Sequence, residues 1–226
     1  GYVLPPEHAL VLADETSPFD MGGVLYSANA AVLARERVAE RFVTGEGLGW
    51  HEHHHGLFSG VERAFAAGYR AQLVAEWLPA LDGVVERLEA GGSAADVGCG
   101  HGASTILMAQ AFPAARFAGI DYHAESIAVA RERAAEAGVS DRVTFSVAGA
   151  DEIPGSGYDL VAFFDAFHDL GDPLAAARHA AAALAPGGAC KLVEPPAGDR
   201  AEGNSNPIGR PYYRFSTMGS TPGPVA

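Results

Sequence analysis

The residues best suited to chemistry lie in one run, Asp96-Val97-Gly98-Cys99-Gly100-His101-Gly102, between a stretch of strand character and one of helical character. Glycines let a backbone turn sharply and approach a ligand with no Cβ in the way. The helix that follows adds free N–H donors at its start. Gly98, Gly100 and Ala103 also satisfy the relaxed spacing G-x-G-x-x-G/A of a dinucleotide site. Further on, Asp121 closes Gly119-Ile120-Asp121, where a carboxylate can take both hydroxyls of a ribose. Both features suit an adenosine-bearing ligand, NAD among them. Asp96 argues against NAD, because a carboxylate beside the first glycine opposes a pyrophosphate but attracts a cationic amino-acid group. Gly149-Ala150-Asp151 can offer a side chain to the amino group of an adenine.

A second set could move protons. His168 follows an apolar strand and is followed by Asp169 and Asp172. An imidazole accepts a proton near neutral pH and suits the role of general base, with Asp169 or Asp172 to hold the ring. Asp165, at the tip of the same strand, could contact a ligand or cap the turn. His51, His53, His54 and His55 invite a metal reading, but adjacent side chains diverge and no Asp or Glu spacing completes a ligand set, so no metal is expected. Cys99 reads as a small filler of the glycine loop. Arg210, Tyr212 and Tyr213 could line a pocket or lie in a surface tail.

These residues need a scaffold. From Ser93 onward, short apolar strands alternate with helical segments, the mark of a parallel sheet with crossover helices. Strands are expected at 94–97, 116–120, 143–147, 160–164 and 190–193, and helices at 104–111, 125–137 and 173–184. The link 148–157 is too short for a full helix. The fold is thus α/β, a Rossmann-like doubly wound sheet in the order 3-2-1-4-5. Nothing after Glu194 alternates well enough to add strands, which leaves the fifth as an exposed edge. Upstream, helices are expected at about 29–42, 68–78 and 82–88. The expected domains are 1–28, a helical linker or lid at 29–91, and a ligand-binding domain at 92–226.

Composition narrows the function classes. A chain of 226 residues with 48% apolar residues can bury a sizeable core. The net charge of −13 lacks the basic footprint of a nucleic-acid binder. No apolar run is long enough to cross a bilayer and the start lacks a signal-peptide layout, so a cytoplasmic setting is expected. Cys99 and Cys190 make no disulfide framework. The opening at Gly1 and the turn-rich Gly219-Ser220-Thr221-Pro222-Gly223-Pro224 suggest a piece of a longer protein.

The whole order resembles class I S-adenosylmethionine-dependent methyltransferases: D-x-G-C-G-x-G, an acidic end to strand two, an acidic turn after strand three, and Leu184-Ala185-Pro186-Gly187-Gly188 before strand five, which ends at Glu194-Pro195. The resemblance covers about 93–195. It implies that S-adenosyl-L-methionine is the cofactor, with Asp96, Gly98, Cys99, Gly100 and Gly102 at its methionine part. It places Asp121 at the ribose and Ala150 with Asp151 at the adenine, and counts Tyr122 and Asp165 among the cofactor's contacts. The run His168-Asp169-Leu170-Gly171-Asp172 is similar to the H-D-x-x-D run of small-molecule O-methyltransferases, whose His is the base. A narrower resemblance rests on Trp50-His51-Glu52-His53, Glu76-Trp77-Leu78-Pro79-Ala80-Leu81, Phe167–Pro173 and Asn204–Arg210. It points to a bacterial family with a winged helix before the methyltransferase domain. On that comparison Tyr2 to Leu12 matches only the end of the winged helix, and the last sheet hairpin is missing. The expected function is methyl transfer to a small-molecule acceptor, with an oxygen as nucleophile. A cofactor- or metabolite-binding transcriptional regulator without turnover is the alternative. DNA and membrane are not expected partners of this chain, and the exposed sheet edge suggests a homodimer.

Overall fold

The computed structural model describes residues 3–221 and Gly223. Tyr2, Pro222 and Pro224, on which the readings of the two ends rest in part, lie outside the described residues.

Strand-forming runs produce β1 (Ser93–Val97), β2 (Arg116–Asp121), β3 (Val143–Val147), β4 (Tyr158–Phe164) and β5 (Leu184–Val193). All pair in parallel, in the expected order β3-β2-β1-β4-β5. The order reverses between β1 and β4, so the carboxyl ends of these two strands flank the crevice where open α/β sheets bind ligands.

The crossover helices are α5 (Ala103–Ala111), α6 (Ala124–Glu136) and α7 (Pro173–Ala183), each within one residue of its expected bounds. Asp172 starts α7 by accepting a hydrogen bond from the Ala175 N–H at 2.8 Å, and Pro173 fits the first turn. No helix forms between β3 and β4. Side chains alternate across the pleat. Ala94, Leu160, Ala162 and Phe164 join the layer of Met108, Ile127 and Leu88, whereas Ala95, Val97, Val161 and Phe163 pack with Ala180 and Ala183 of α7. Layers on both faces make the sheet doubly wound. β5 starts earlier than expected: Leu184 pairs with Tyr158, and the ladder resumes at Leu160 and Ala189 once the Pro186-Gly187-Gly188 turn has been taken up as an irregularity.

The upstream helices differ more from expectation. They are α1 (Pro6–Leu12), α2 (Gly22–Thr44), α3 (His55–Gly68) and α4 (Val84–Glu89), with a π-helical stretch (Tyr69–Trp77) continuing α3. The start of α2 lies seven residues before Asn29, and the helix runs through the boundary expected at residue 28. The reason is Asp20, whose carboxylate accepts from the Gly22 N–H at 2.9 Å, and which also binds Arg63. Gly22-Gly23 reads as a break in sequence, yet Gly23 is where α3 crosses. A Cβ on Gly23 would run into the backbone of Ala64, and one on Gly60 into that of Ser27. The start of α3 precedes the expected residue 68 because His54 caps it, its Nδ1 accepting from the Gly56 N–H at 3.0 Å. A last helix, α8 (Gly209–Met218), occupies what reads in sequence as a tail. Among the described residues, no helix is long and apolar enough to cross a membrane.

Candidate active site

The loop after β1 is tied down by its own backbone. The Gly98 and Cys99 N–H groups both donate to the Ile120 carbonyl, at 2.8 and 3.0 Å, which binds the loop to β2. Gly98 has φ 75°, a conformation open to glycine. A Cβ there would also strike Ala166, just beyond β4, so the loops of β1 and β4 touch.

Asp121 at the end of β2 completes this frame. One carboxylate oxygen accepts from the Gly100 N–H and the other from the His123 N–H, each at 2.9 Å. Burial raises its pKa, and these two hydrogen bonds oppose the rise. Each oxygen keeps a lone pair for a ligand hydroxyl. Asp96 is more deeply buried, 1% exposed. Its Oδ2 accepts from the Ser104 and Thr105 hydroxyls, both at 2.6 Å, while its Oδ1 has no partner. Burial pushes its pKa up to about 6 against those two hydrogen bonds. The carboxylate thus faces the start of α5 beneath the loop, and its orphaned oxygen suits a cationic donor.

A cavity of about 1120 Å³ opens above the loop. Gly98, Cys99, Gly100, Asp121, Tyr122 and Ala150 line it, and so do Asp165 and His168. Three residues expected at the ligand do not: Asp96, Gly102, which packs on Phe145, and Asp151, which is exposed.

At the far side of the loop, His168 Nδ1 lies 2.5 Å from Glu194 Oε2, and Glu194 Oε1 accepts from the Phe167 N–H at 2.9 Å. Glu194, at the end of β5, is therefore the group that holds the ring. Of the two expected holders, Asp172 is occupied in capping α7. Asp169 instead lies 3.4 Å from the other nitrogen, Nε2. The hydrogen bond to Glu194 raises the His168 pKa to about 9, with burial opposing. Asp165 beside it has φ 57°, and it is the one non-glycine residue at positive φ among the described residues. Its Oδ1 is buried without a partner, and burial pushes its pKa to about 7. Such outliers gather at functional sites. Donor atoms of Asp165, His168 and Glu194 lie within 4.8 Å of one another, a set that could also hold a cation.

The helical region closes over the loop. Glu62 of α3 pairs with His101 Nδ1 at 2.8 Å and with Arg133. Phe58 stacks on His123 at 5.0 Å, and His51 meets the edge of Tyr122 at 6.0 Å. Within the histidine cluster, His53 lies beside Trp50, His54 caps α3, and the His54 and His55 rings lie 4.1 Å apart. Tyr212 and Tyr213 of α8 line the cavity and Arg210 does not. Sequence reading missed Glu194 as a partner because β5 separates it from His168 by 26 residues. It also missed Asn204, whose side chain ties Gly198, Arg200 and Tyr213 together below α8.

Residues 88–202, half of the chain, match a family described as a methyltransferase domain. The chain is similar to the 27-O-demethylrifamycin SV methyltransferase of Amycolatopsis mediterranei, 36% identical over 122 residues, which are 51% of this chain and 44% of that protein. It is 36% identical over 108 residues to the trans-aconitate 2-methyltransferase of Paracidovorax citrulli, covering 48% of this chain and 40% of that one. The chain thus spans less than half the length of these curated relatives. Its fold is shared with the solved structure of an O-methyltransferase family protein from Burkholderia thailandensis (TM-score 0.72, 16% identity, 98% of this chain and 67% of that one). It is also shared with that of the mitomycin 7-O-methyltransferase (TM-score 0.69, 19% identity, 98% and 66%).

Proposed function

The chain belongs to the methyltransferase-domain family, and on that premise we propose that it methylates an oxygen of a small-molecule acceptor with S-adenosyl-L-methionine. The carrying observation is a carboxylate-held imidazole, His168, in the same cavity as the Asp121-tied glycine loop. The residues fit the cofactor: Asp121 has lone pairs for ribose hydroxyls, Gly98, Cys99 and Gly100 line the cavity beside it, and Tyr122 and Ala150 flank the adenosine end. When bound, the cofactor supplies a methyl group made electrophilic by a positively charged sulfur.

His168 Nε2 would take the proton of the acceptor hydroxyl, leaving the oxygen able to accept the methyl group that the cofactor would supply. Glu194 at Nδ1 favours the tautomer with hydrogen on that nitrogen, so Nε2, which Asp169 and Ser220 approach at 3.4 and 3.5 Å, is the atom offered to the substrate. Glu194 also stabilises the imidazolium that forms. Asp165 and Asp169 add two further carboxyl groups beside the cationic centre, both with pKa raised by burial. The helices α3 and α8 align the acceptor and keep water out.

The test is calorimetry with S-adenosylhomocysteine and with NAD, followed by a transfer assay on a phenol library with and without EDTA. Binding of S-adenosylhomocysteine alone, with chelator-insensitive turnover, is the expected result. NAD binding would end the cofactor assignment. Chelator-sensitive turnover would give Asp165, His168 and Glu194 to a cation in place of the proton. The regulatory alternative gains no support from the N-terminal segment, which forms α1 and α2.

A further inference from the structure

The acceptor's half of the cavity has a chemical character of its own. Phe58, Val61, Phe65 and Tyr69 follow at helical spacings, so α3 and its π-helical continuation turn one largely aromatic face to the cavity. α8 adds Tyr212 and Phe215. Rings on two helices give flat surfaces against which a ring system gains more contact than a flexible chain of equal size. The volume of about 1120 Å³ exceeds the roughly 300–1,000 Å³ of a pocket for one drug-sized ligand, so a bulky acceptor fits beside a cofactor.

The charges are one-sided. Among the described residues, neither Arg nor Lys lines this cavity, whereas Glu62, Asp121, Asp165, Asp169 and Glu194 do. Glu62 is answered by Arg133 and His101, and Asp121 by backbone N–H groups. Three carboxyl groups remain around the reactive end, Asp165, Asp169 and Glu194, with His168 as the single cation among them. An anionic acceptor would lose its hydration there and meet like charge, with no guanidinium or ammonium to receive it.

The geometry points to an uncharged or cationic aromatic hydroxyl compound as the acceptor, with carboxylic acids rejected. This rests on the methyl-transfer reading only for the role of the bound molecule; which ring compounds bind is a property of the cavity itself. It also separates this chain from a relative named for a tricarboxylate, trans-aconitate.

The test is calorimetric titration of the full chain, saturated with S-adenosylhomocysteine, at pH 7.5. The probes are 2-naphthol, its anionic analogue 3-hydroxy-2-naphthoate, and the saturated alcohol decahydro-2-naphthol. 2-Naphthol should bind about tenfold or more tightly than the carboxylate, and more tightly than the saturated alcohol. Val61→Lys on α3 should strengthen binding of the carboxylate and narrow the gap. Thr217→Lys, at an exposed position of α8 that also lines the cavity, does the same should the first variant fold poorly. Equal or tighter binding of the carboxylate to the wild type overturns the inference, as does no binding of 2-naphthol. A saturated alcohol that binds as well as 2-naphthol removes the aromatic part. If S-adenosylhomocysteine fails to bind, the cofactor reading falls, and the same three titrations on the chain alone still decide the inference. If bound 2-naphthol is never methylated, the enzymatic reading falls and the inference stands.

Discussion

The cavity has two walls built on different principles. The sheet wall is made of loops that leave β1, β2, β4 and β5, and Asp121 and Glu194 on it are fixed by hydrogen bonds from backbone N–H groups. The helical wall is made of α2, α3 and α8, and it contributes aromatic surface with few fixed polar groups. On the first wall, position is set by strand register, so single atoms are aimed. On the second, position is set by packing, so shape is presented and atoms are not. The proposed chemistry belongs to the first wall and the proposed selection among acceptors to the second.

Substitutions on the two walls should therefore fail differently. The largest effect is expected at His168. His168→Ala should lower turnover by about 10²–10⁴-fold while S-adenosylhomocysteine affinity stays within about twofold, read by single-turnover kinetics and calorimetry. Loss of cofactor binding with the fold intact would move His168 into the cofactor site. Next is Asp121→Ala, which removes both oxygens proposed for the ribose and the tie to Gly100. Affinity for S-adenosylhomocysteine should fall about tenfold or more, and unchanged affinity would dissolve the ribose assignment.

The pH profile comes third. A base works only when deprotonated, and with the His168 pKa at about 9 only about one ring in a hundred is neutral at pH 7. The wild-type rate should rise from pH 7 toward 9 and fall away as pH drops. Glu194→Gln removes the main cause of the raised pKa, so its inflection should move to lower pH while the plateau rate drops. An inflection at the same pH in both proteins would mean that another group titrates. The smallest effect is expected at Glu62 on the helical wall. Its pairs with His101 and Arg133 are partly exposed, so Glu62→Ala should cost about 0.2–1 kcal/mol, visible as faster amide exchange in 55–68 and little change in turnover. A large loss of turnover would show that the helical wall aims atoms after all.

The same division explains what the sequence made legible. Strand order, the crossover helices and the glycine loop follow from local patterns: alternation, a cap such as Asp172, and glycines between strand and helix. Asp121 was readable for the same reason, since a strand end places it. Glu194 was not readable as the partner of His168, because their meeting depends on β5 lying beside β4, a contact across the sheet. Asp169 and Asp172 were nearer in sequence but point elsewhere. The start of α2 was hidden by Gly22-Gly23, which reads as a break and serves as a close crossing with Gly60. In α8, Pro211 and aromatic residues give weak helix propensity. The helix starts because the Asn206 side chain accepts from the N–H groups of Ile208 and Gly209, at 2.9 and 2.8 Å, and it is held by packing on α2.

The contact between Gly98 and Ala166 sets a limit on how this site can vary. Both positions already carry nearly the smallest side chain possible, so neither can grow by taking volume from the other. A Cβ at Gly98 has no room unless the loops of β1 and β4 move apart, and neighbouring strands keep a spacing of about 4.8 Å. His168 stands two residues beyond that contact. The reach from the glycine loop to the proposed base is therefore tied to the pitch of the sheet, whereas changes at Glu194 or on the helical wall leave that distance alone.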